Sequence, residues 1–265
     1  MNNILDLPSN WQCHKQLFKI VWGMEVCPDC GGKLLFRSSY EWCKKCRLKT
    51  SVKSETWFKN SNLSYRQVWL LIWCWQQKQS VGSTRQLCGF SYPTIRRWFR
   101  RFRSALPQDK TLLSGLIEAD ESAFGKQKFN KQAWVIGAIE RYTRRVKLEI
   151  VKDREQNTLE DFVLRTVEGG SQINTDLWRG YSELSWIGYT HEPYNHSLGH
   201  FSGTNMIENL WSVIKRHLRS LYYGRLTLTD LPLILNEWEI RQNQPQLMYN
   251  VTNYLKATAC SGLVQ

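Results

Sequence analysis

Residues 62–110 have the hydrophobic pattern of consecutive helices. Ser64 and Gln67 form a Ser-x-x-Gln capping sequence directly before the apolar run 68–75, which predicts the start of a helix. A second Ser-x-x-Gln begins at Ser83, and the short helix that it introduces is expected to end at a glycine turn. These two signals predict two short, capped helices in succession.

A third helix is expected over 93–103, with Pro93 in its first turn, where proline is tolerated. Its apolar residues recur at the spacing of one helix face and are Ile95, Trp98, Phe99 and Phe102. Arginines occupy most of the remaining surface: Arg96, Arg97, Arg100, Arg101 and Arg103. Two short helices, a glycine turn and a basic amphipathic helix are typical of a helix-turn-helix, whose last helix enters the major groove of DNA.

After residue 111 the pattern changes to that of strands. Three runs with strand character, 116–121, 133–140 and 145–151, precede a helical segment over 158–168. A short strand then ends at Asp176. Strands followed by a helix and another strand, with acids at strand ends, are in the order of an RNase H-like α/β core.

A long helix is expected over 204–221. Its buried stripe consists of Ile207, Leu210, Trp211, Ile214, Leu218 and Leu221. Glu208, Lys215 and Arg219 fall at i, i+7 and i+11 along one edge of this stripe. The helix therefore holds Glu208 on a packed, rigid element.

The net charge of +13 is confined to the first 110 residues. Residues 1–61 contain ten basic and five acidic side chains, 62–110 contain nine and one, and 111–265 contain 17 of each. Such an excess indicates a polyanionic partner or a membrane surface. Because the longest apolar run, 68–75, is far below the roughly 18 residues of a spanning helix, no membrane partner is expected. Double-stranded DNA is the expected partner.

Four of the eight cysteines have the spacing of a metal site. Cys27 and Cys30 form one Cys-x2-Cys pair, and Cys43 and Cys46 form another after twelve residues. Four thiolates in two such knuckles close a structural zinc site, here a zinc ribbon with short strands over 33–36 and 40–42. The ribbon contacts either DNA or protein. The other cysteines, Cys13, Cys74, Cys88 and Cys260, are expected to be core or surface thiols.

Three acids of the second half are candidates for a catalytic metal site. Asp120 and Asp176 lie at predicted strand ends, and Glu208 lies on the long helix. Three carboxylates of this kind hold two divalent cations about 3.5 to 4 Å apart in enzymes that cleave phosphodiesters. Mg²⁺ or Mn²⁺ suits such hard oxygen ligands, and Lys215 is placed to contact a phosphate.

The segments EADES, NTDLWRGY and TNMIENLWSVIKRHL, which carry Asp120, Asp176, Glu208 and Lys215, resemble a known family. They are similar to the DDE transposases of small bacterial insertion sequences and of the related eukaryotic Merlin elements. The resemblance covers about residues 20–241 and includes the zinc ribbon. Gaps of 55 residues between the aspartates and 31 between Asp176 and Glu208 agree with the family's order.

The resemblance implies a DNA transposase that binds terminal inverted repeats and hydrolyses the strand at the element's ends. The freed 3′-hydroxyl is then joined to target DNA, without a covalent protein intermediate. It also implies that Asp120, Asp176 and Glu208 bind the metal ions and that Asn205 orients a ligand or water. Asn195-His196-Ser197 resembles the family's segment before the catalytic helix. Because two ends must be brought together, a homodimer on DNA is expected.

Several alternatives stay open. Glu118 or Glu121 assists the metal site, or the histidines His191, His196 and His200 form a different, histidine-based metal nuclease site. At the level of function, the alternatives are a domesticated, sequence-specific DNA-binding regulator without catalysis and a structure-selective nuclease on the same fold. Trp178, Arg179 and Tyr181 either pack against the sheet or line a DNA channel.

The expected organisation has four parts. Residues 1–61 are a zinc ribbon with an N-terminal extension, 62–110 a helix-turn-helix, 111–241 an RNase H-like catalytic domain and 242–265 a C-terminal tail. The first ten residues lack a basic region followed by an apolar one, so a reducing, intracellular location is expected. This is the cytoplasm or nucleoid in a bacterium and the nucleus in a eukaryote.

Overall fold

The chain divides into two units. The first comprises residues 1–107 and 245–265, and the second comprises 108–244. The structure is a computed structural model that describes residues 7–126, 131–195, 203–222 and 228–260. Within these ranges no helix is both long and apolar enough to span a membrane.

The first unit begins with helix α1 (Asn10–Trp22) and a small three-stranded sheet. Ser9 and Gln12 cap α1 reciprocally, and Gly23 ends it in the left-handed conformation. The antiparallel sheet has the order β1–β2–β3 and consists of β1 (Leu34–Phe36), β2 (Glu41–Cys43) and β3 (Lys49–Thr50). The sequence predicts β1 and β2 correctly but not α1 or β3. His14 of α1 and Glu41 of β2 form a fully buried contact that fastens the sheet to the helix.

Three helices follow: α2 (Tyr65–Gln76), α3 (Val81–Cys88) and α4 (Tyr92–Ser104). The capping box of Ser64 and Gln67 is confirmed, as is Pro93 in the first turn of α4. The second predicted capping box is wrong because the chain turns into α3 three residues earlier. The hydroxyl oxygen of Ser80 accepts the Ser83 N–H, so Ser83 lies inside the helix.

The C-terminal segment belongs to the first unit. It forms a single-turn helix α8 (Gln246–Tyr249) and a longer helix α9 (Val251–Thr258). The Tyr254 hydroxyl donates to the Phe102 carbonyl at 3.0 Å, and the Gln76 side chain donates to the Leu247 carbonyl at 3.0 Å. These contacts pack α8 and α9 against α2 and α4.

The second unit is built on a five-stranded sheet. Its strands are β4 (Leu116–Lys126), β5 (Lys131–Glu140), β6 (Val146–Val151), β7 (Gln172–Asp176) and β8 (Thr190–Tyr194). The spatial order is β6–β5–β4–β7–β8, with antiparallel pairing among β4, β5 and β6 and parallel pairing from β4 to β7 and β8. This is the RNase H-like topology, so the expected fold class is confirmed.

Helices cover both faces of this sheet. Helix α5 (Gln156–Thr166) packs on one face in a core that includes Ile117 and Ala119 of β4. Helix α6 (Asn205–Tyr222) and helix α7 (Leu231–Asn243) pack on the other face in a core that includes Phe124 of β4 and Val135 of β5. Because side chains alternate along a strand, the even-numbered positions 118, 120 and 122 of β4 share the α6 face with Phe124.

Short 3₁₀ segments occur at Val52–Glu55, Arg179–Tyr181 and Leu228–Asp230.

The sequence predicts neither β8 nor α7. Helix α7 covers the exposed edge of β6, where Asn243 accepts the Val146 N–H at 2.8 Å and Glu239 accepts the Leu148 N–H at 2.6 Å. Side chains of α7 therefore satisfy two backbone donors of this edge strand.

Candidate functional site

Asp120 and Asp176 lie on adjacent strands and on the same face of the sheet. The parallel pairing of β4 with β7 ends where Glu118 is opposite Asn174. Asp120 and Asp176 each lie two residues beyond that pair, on the face that α6 covers. This register brings the two aspartates onto adjacent strands although they are 56 positions apart in sequence. Asp176 ends its strand as predicted, but the prediction that Asp120 ends its strand is wrong, because β4 stays paired with β5 as far as Lys126.

Glu208 approaches this face from the first turn of α6. Its backbone N–H donates to the Thr204 carbonyl at 3.2 Å, and the Thr204 hydroxyl donates to the Glu208 carboxylate at 3.4 Å. Strand β4 reaches the same turn, because the Glu118 carboxylate accepts the backbone N–H groups of Met206 and Ile207. The start of α6 is therefore attached to the strand that carries Asp120.

Asp120 is also bonded to the second turn of α6. The Trp211 indole Nε1 donates to Asp120 Oδ2 at 2.9 Å. The indole lies against Gly137, the residue opposite Asp120 on β5, and a Cβ there would be 2.6 Å from the ring. Glycine at this position therefore leaves the space that brings the indole close to the carboxylate.

Asp176 is oriented by the loop that follows it. The Trp178 N–H donates to Asp176 Oδ1 at 2.9 Å, and the Trp178 indole N–H donates to the Arg154 carbonyl at 3.0 Å. The Arg154 guanidinium lies 4.5 Å from the centroid of the Trp178 ring and 4.1 Å from that of Trp134. This stacking fixes the loop next to the second carboxylate.

The three carboxylates interact electrostatically. Burial raises the pKa of Asp120 to about 6, against the opposing effect of the Trp211 hydrogen bond. The negative charges of Asp176 and Glu208 add to this rise. Acids from three separate elements therefore lie on one face of the sheet, near enough for their charges to affect one another.

The donor chemistry at this position fits a divalent cation. Carboxylate oxygens are the ligands that Mg²⁺ and Mn²⁺ prefer, and mutual repulsion of this kind is what a bound cation relieves. Among the described residues, only the four cysteines have three or more His, Cys, Asp or Glu ligand atoms all within 4.8 Å of one another. Asp120, Asp176 and Glu208 therefore share a face of the sheet, but their carboxylate oxygens are not all within 4.8 Å of one another.

Lys215 lies on the same side of the sheet. Its ammonium is 5.4 Å from the centroid of the Phe124 ring. Burial lowers the pKa of Lys215, while the Asp120 charge opposes this effect. Asn205, the first residue of α6, is exposed to solvent.

The other acids next to the triad have different surroundings. Glu118 accepts two N–H groups of α6, a role that the sequence does not reveal. Glu121 points to the opposite face, beside the buried Tyr181, and burial together with the charges of Asp120 and Asp176 raises its pKa to about 7. Tyr181 is packed in the α5-side core.

Of the three histidines of the alternative metal site, only His191 lies within the described residues. His191 on β8 is half-buried, and its Nε2 lies 2.9 Å from the Thr175 hydroxyl. His196 and His200 lie outside the described residues, as does Ser197 of the Asn195-His196-Ser197 segment.

The four ribbon cysteines form a compact cluster in the first unit. The Cys27 and Cys46 sulfurs are 3.6 Å apart, and those of Cys30 and Cys43 are 3.5 Å apart. A tetrahedral zinc ion at about 2.3 Å from each sulfur separates them by about 3.8 Å. The sulfurs are therefore already at the spacing of a zinc site.

The glycines after the first cysteine pair make this geometry accessible. Gly31 has a φ of +65°, a left-handed conformation that glycine adopts without strain. A Cβ on Gly32 would lie 3.1 Å from the Cys43 sulfur and 3.2 Å from the Cys30 sulfur.

Of the remaining cysteines, Cys13 and Cys74 are buried, Cys88 is half-buried and Cys260 is exposed.

The arginines of α4 fall into two groups. Arg96, Arg97 and Arg100 are exposed. Arg101 donates to the Trp57 carbonyl at 2.9 Å and lies over the Trp57 and Trp98 rings, and Arg103 is only 5% exposed. The sequence predicts all five arginines as DNA-binding residues. Arg103 is buried and Arg101 is half-buried against indole rings, so both are less accessible than the other three.

The turn before α4 has helix-turn-helix proportions. Three residues, 89–91, separate α3 from α4, and Gly89 is in the left-handed conformation. A turn of three to four residues that contains glycine is typical of this motif. The exposed arginines lie on the helix that follows this turn.

One family model matches part of this chain. The model of the ISXO2-like transposase domain family matches residues 112–243. This range contains Asp120, Asp176, Glu208 and Lys215. No curated protein is detectably similar in sequence to this chain.

Comparison with solved structures finds retroviral integrases. The catalytic core domain of HTLV-2 integrase in complex with magnesium is 15% identical, with a TM-score of 0.37. The match to the trimeric form includes 53% of this chain and 93% of the integrase chain. The match to the dimeric form includes 56% of this chain and 99% of the integrase chain. The same identity and TM-score are found for a chain of the simian T-cell lymphotropic virus intasome in complex with PP2A regulatory subunit B56 gamma. This match includes 71% of the present chain and 74% of the intasome chain.

Proposed function

Because residues 112–243 match the ISXO2-like transposase domain, we propose that this chain is a DDE transposase that cleaves DNA at the ends of its element and joins it to a target. The observation that carries the proposal is the convergence of Asp120, Asp176 and Glu208 on the α6 face of the sheet. The kinship with eukaryotic Merlin elements and the binding of terminal inverted repeats are parts of this proposal.

The three carboxylates are the proposed ligands of two catalytic ions, Mg²⁺ or Mn²⁺. When bound, two such ions supply activation of water or of a 3′-hydroxyl and stabilisation of the leaving oxygen. The residues around the carboxylates orient them: Trp211 holds Asp120, and the Trp178 N–H holds Asp176. We assign no covalent protein intermediate.

Two further residues are assigned to substrate. Lys215, on the Asp120 side of α6, is proposed to contact a phosphate near the scissile bond. Asn205 is proposed to orient a ligand or water, since it is exposed one helical turn before Glu208. Both residues lie on the helix that carries the third carboxylate.

The four cysteines are proposed to bind one structural Zn²⁺. Their sulfur spacing supports this, and closed sites with four thiolates are structural rather than catalytic. Such a site supplies folding free energy to the small sheet around it.

Double-stranded DNA is the proposed partner of the first unit. The three-residue turn before α4 supports a helix-turn-helix, and the exposed Arg96, Arg97 and Arg100 supply positive charge on its last helix. Phosphate contacts position such a helix on the duplex. We also propose that the chain acts on DNA as a homodimer, in an intracellular compartment that contains DNA.

The test is cleavage by the purified full chain of duplexes taken from both ends of the DNA segment that encodes it. Asp120→Asn, Asp176→Asn and Glu208→Gln should each abolish cleavage in Mg²⁺ or Mn²⁺ while duplex binding persists. Asp161→Asn, at an exposed acid on α5, is the matched control and should cleave normally.

Three outcomes contradict the proposal. Cleavage that survives all three substitutions excludes the acids as ligands. Specific binding without cleavage in either metal favours a domesticated regulator. Cleavage of branched or hybrid substrates without preference for element ends favours a structure-selective nuclease.

A further inference from the structure

Glu118 occupies an unusual position for a carboxylate. It lies in the middle of the sheet on β4, and its side chain is fully buried. One oxygen, Oε2, accepts the Met206 N–H at 2.7 Å and the Ile207 N–H at 3.1 Å. The other, Oε1, lies 3.6 Å from the Arg141 guanidinium. The carboxylate thus lies against the first turn of α6.

The first turn of a helix is a favourable place for such a group. Its leading N–H groups have no partner within the helix, and the helix dipole attracts negative charge there. A buried carboxylate without such partners is strongly unfavourable. Glu118 and the start of α6 therefore stabilise each other.

These hydrogen bonds fix what apolar packing alone does not. The buried stripe of α6 determines which face of the helix meets the sheet, but apolar contacts are not directional. A helix held by them alone tolerates small shifts along its axis and small rotations. Two N–H bonds to one carboxylate oxygen restrict both movements at the turn that carries Glu208.

The location of Glu118 relates this restraint to the acidic triad. Glu118 and Asp120 lie on the same face of β4 two residues apart, which is about 6.8 Å along a strand. Glu208 directly follows Ile207, one of the two residues whose N–H groups Glu118 accepts. Strand β4 thus carries the first carboxylate and also holds the turn that carries the third.

We propose that Glu118 is a positioning residue: by holding the first turn of α6 it sets the location of Glu208 relative to Asp120 and Asp176. The inference rests on the proposed function, since it concerns the ligands of the proposed metal site. Glu118 itself stays on the helix backbone and does not bind the metal.

The experiment compares three full-length variants. Glu118→Ala removes the acceptor, and Glu118→Gln keeps an oxygen that can accept the same N–H groups. Glu140→Ala is the matched control, because Glu140 is also a buried carboxylate of the same sheet that accepts a backbone N–H, that of Ser114 at 2.6 Å. It contacts neither α6 nor the triad in the described hydrogen bonds.

Three readouts are measured: Mn²⁺ affinity by calorimetry, amide hydrogen exchange of the segment that contains residues 205–210, and cleavage as a function of Mn²⁺ concentration. Glu118→Ala should weaken Mn²⁺ binding about 10- to 100-fold, the usual effect of losing a group that orients metal ligands. It should also speed exchange at the start of α6. Glu118→Gln should restore the affinity to within a few-fold of wild type, and Glu140→Ala should leave it unchanged.

Other outcomes contradict the inference. Unchanged Mn²⁺ affinity in Glu118→Ala removes the positioning role, and equal losses in Glu118→Gln and Glu118→Ala indicate that Glu118 is itself a ligand. Equal losses in Glu118→Ala and Glu140→Ala indicate general destabilisation. If Glu118→Ala does not fold, Glu118→Asp replaces it, since the shorter side chain withdraws the acceptor from α6.

Failure of the proposed function is distinguishable from failure of this inference. A wild-type chain that binds no Mn²⁺ and cleaves no DNA contradicts both. A wild-type chain that binds Mn²⁺ and cleaves, together with a Glu118→Ala variant that does so equally well, contradicts the positioning role alone.

Discussion

The Trp211 indole donates a hydrogen bond of 2.9 Å to the carboxylate of Asp120, and this contact joins α6 to the middle of β4. Trp211 belongs to the apolar stripe of α6, so its ring is packed in the core while its N–H reaches the acidic site. Sequence periodicity predicts that Trp211 is buried but not that it has a polar partner. One residue therefore contributes both to packing and to the orientation of the first carboxylate.

Trp211→Phe tests the second contribution, because it keeps an aromatic ring but removes the donor. We expect a loss of about 1 to 2 kcal/mol in the free energy of unfolding. Cleavage should fall about 10- to 100-fold, as expected when a group that orients a metal ligand is lost. Urea unfolding and single-turnover cleavage measure the two effects. Trp186→Phe, at an 85% exposed tryptophan, is the control and should change neither.

Gly137→Ala tests the space that the indole occupies. The new Cβ would lie 2.6 Å from the Trp211 ring, which cannot move without displacing α6. Overpacking of this kind costs about 1 to 3 kcal/mol, and we expect cleavage to fall with it. Gly169→Ala is the matched control, since a Cβ there meets no atom within 4 Å. Normal melting temperature and cleavage in Gly137→Ala would show that α6 is not held at this point.

The elements with strong local signals were predictable from sequence. The strands β4 to β7 alternate or run as apolar blocks, α6 has a complete stripe, and the cysteine spacing specifies the ribbon. Glu208 and Asp176 are marked in the sequence by their places at a predicted helix start and a predicted strand end. Each of these signals is contained in a short stretch of chain.

Features that depend on distant partners were not predictable. The roles of Glu118, Trp211 and Gly137 arise because β4, β5 and α6 meet in space, although 74 positions separate Gly137 from Trp211. The apolar residues of α7 and β8 do not follow a clear helix or strand period. These two elements depend on contacts with other parts of the second unit, which a short stretch of sequence does not reveal. The burial of Arg103 was missed for the same reason, since a long side chain packs its stem on apolar neighbours.

Removal of zinc should unfold the ribbon. The four sulfurs approach to about 3.5 Å, and without an ion such a cluster of thiols contributes little to the stability of three short strands. We expect a chelator, or Cys43→Ser, to release bound zinc and to speed amide exchange over residues 24–50. Cys260→Ser, at an exposed thiol, is the control. A chain that contains no zinc and keeps full protection over this segment would contradict the assignment.

The arginines of α4 should separate into two functional groups. Arg96→Ala, Arg97→Ala and Arg100→Ala should each weaken duplex binding and reduce the slope of log affinity against log salt by about 1. Arg101→Ala should mainly destabilise the fold, because Arg101 donates to the Trp57 carbonyl and stacks on two indoles. Fluorescence anisotropy at several salt concentrations and thermal melting distinguish the groups. Equal salt slopes in wild type and the three exposed-site variants would exclude phosphate contacts by this face.

Glu239 should make the second unit less stable as pH rises. Burial raises the pKa of Glu239 from 4.5 to about 7, against the opposing Leu148 N–H and Lys147 charge. The folded chain therefore keeps a proton that the unfolded chain releases, so stability is complete below about pH 4.5 and falls as pH rises toward 7, by up to about 3 kcal/mol. Glu239→Gln keeps an acceptor for the Leu148 N–H and removes the charge. Its melting temperature should decline less than that of wild type across this window, where the raised pKa values of Asp120 and Glu121 also lower stability, and above pH 7 it should exceed that of wild type.

Asp109 provides the matched control for this pH profile, because its effect has the opposite sign and lies in another window. Burial raises its pKa, but hydrogen bonds from Thr111 and Asn243 and the Lys147 charge outweigh this effect and lower it from 3.8 to about 2. The stability that Asp109 contributes is present above pH 3.8 and is lost as pH falls toward 2. Asp109→Asn should therefore flatten only the acid limb of the melting profile and leave the decline between pH 4.5 and 7 intact. Parallel profiles for wild type and Glu239→Gln over that range would show that the Glu239 carboxyl group titrates alike in the folded and unfolded chains.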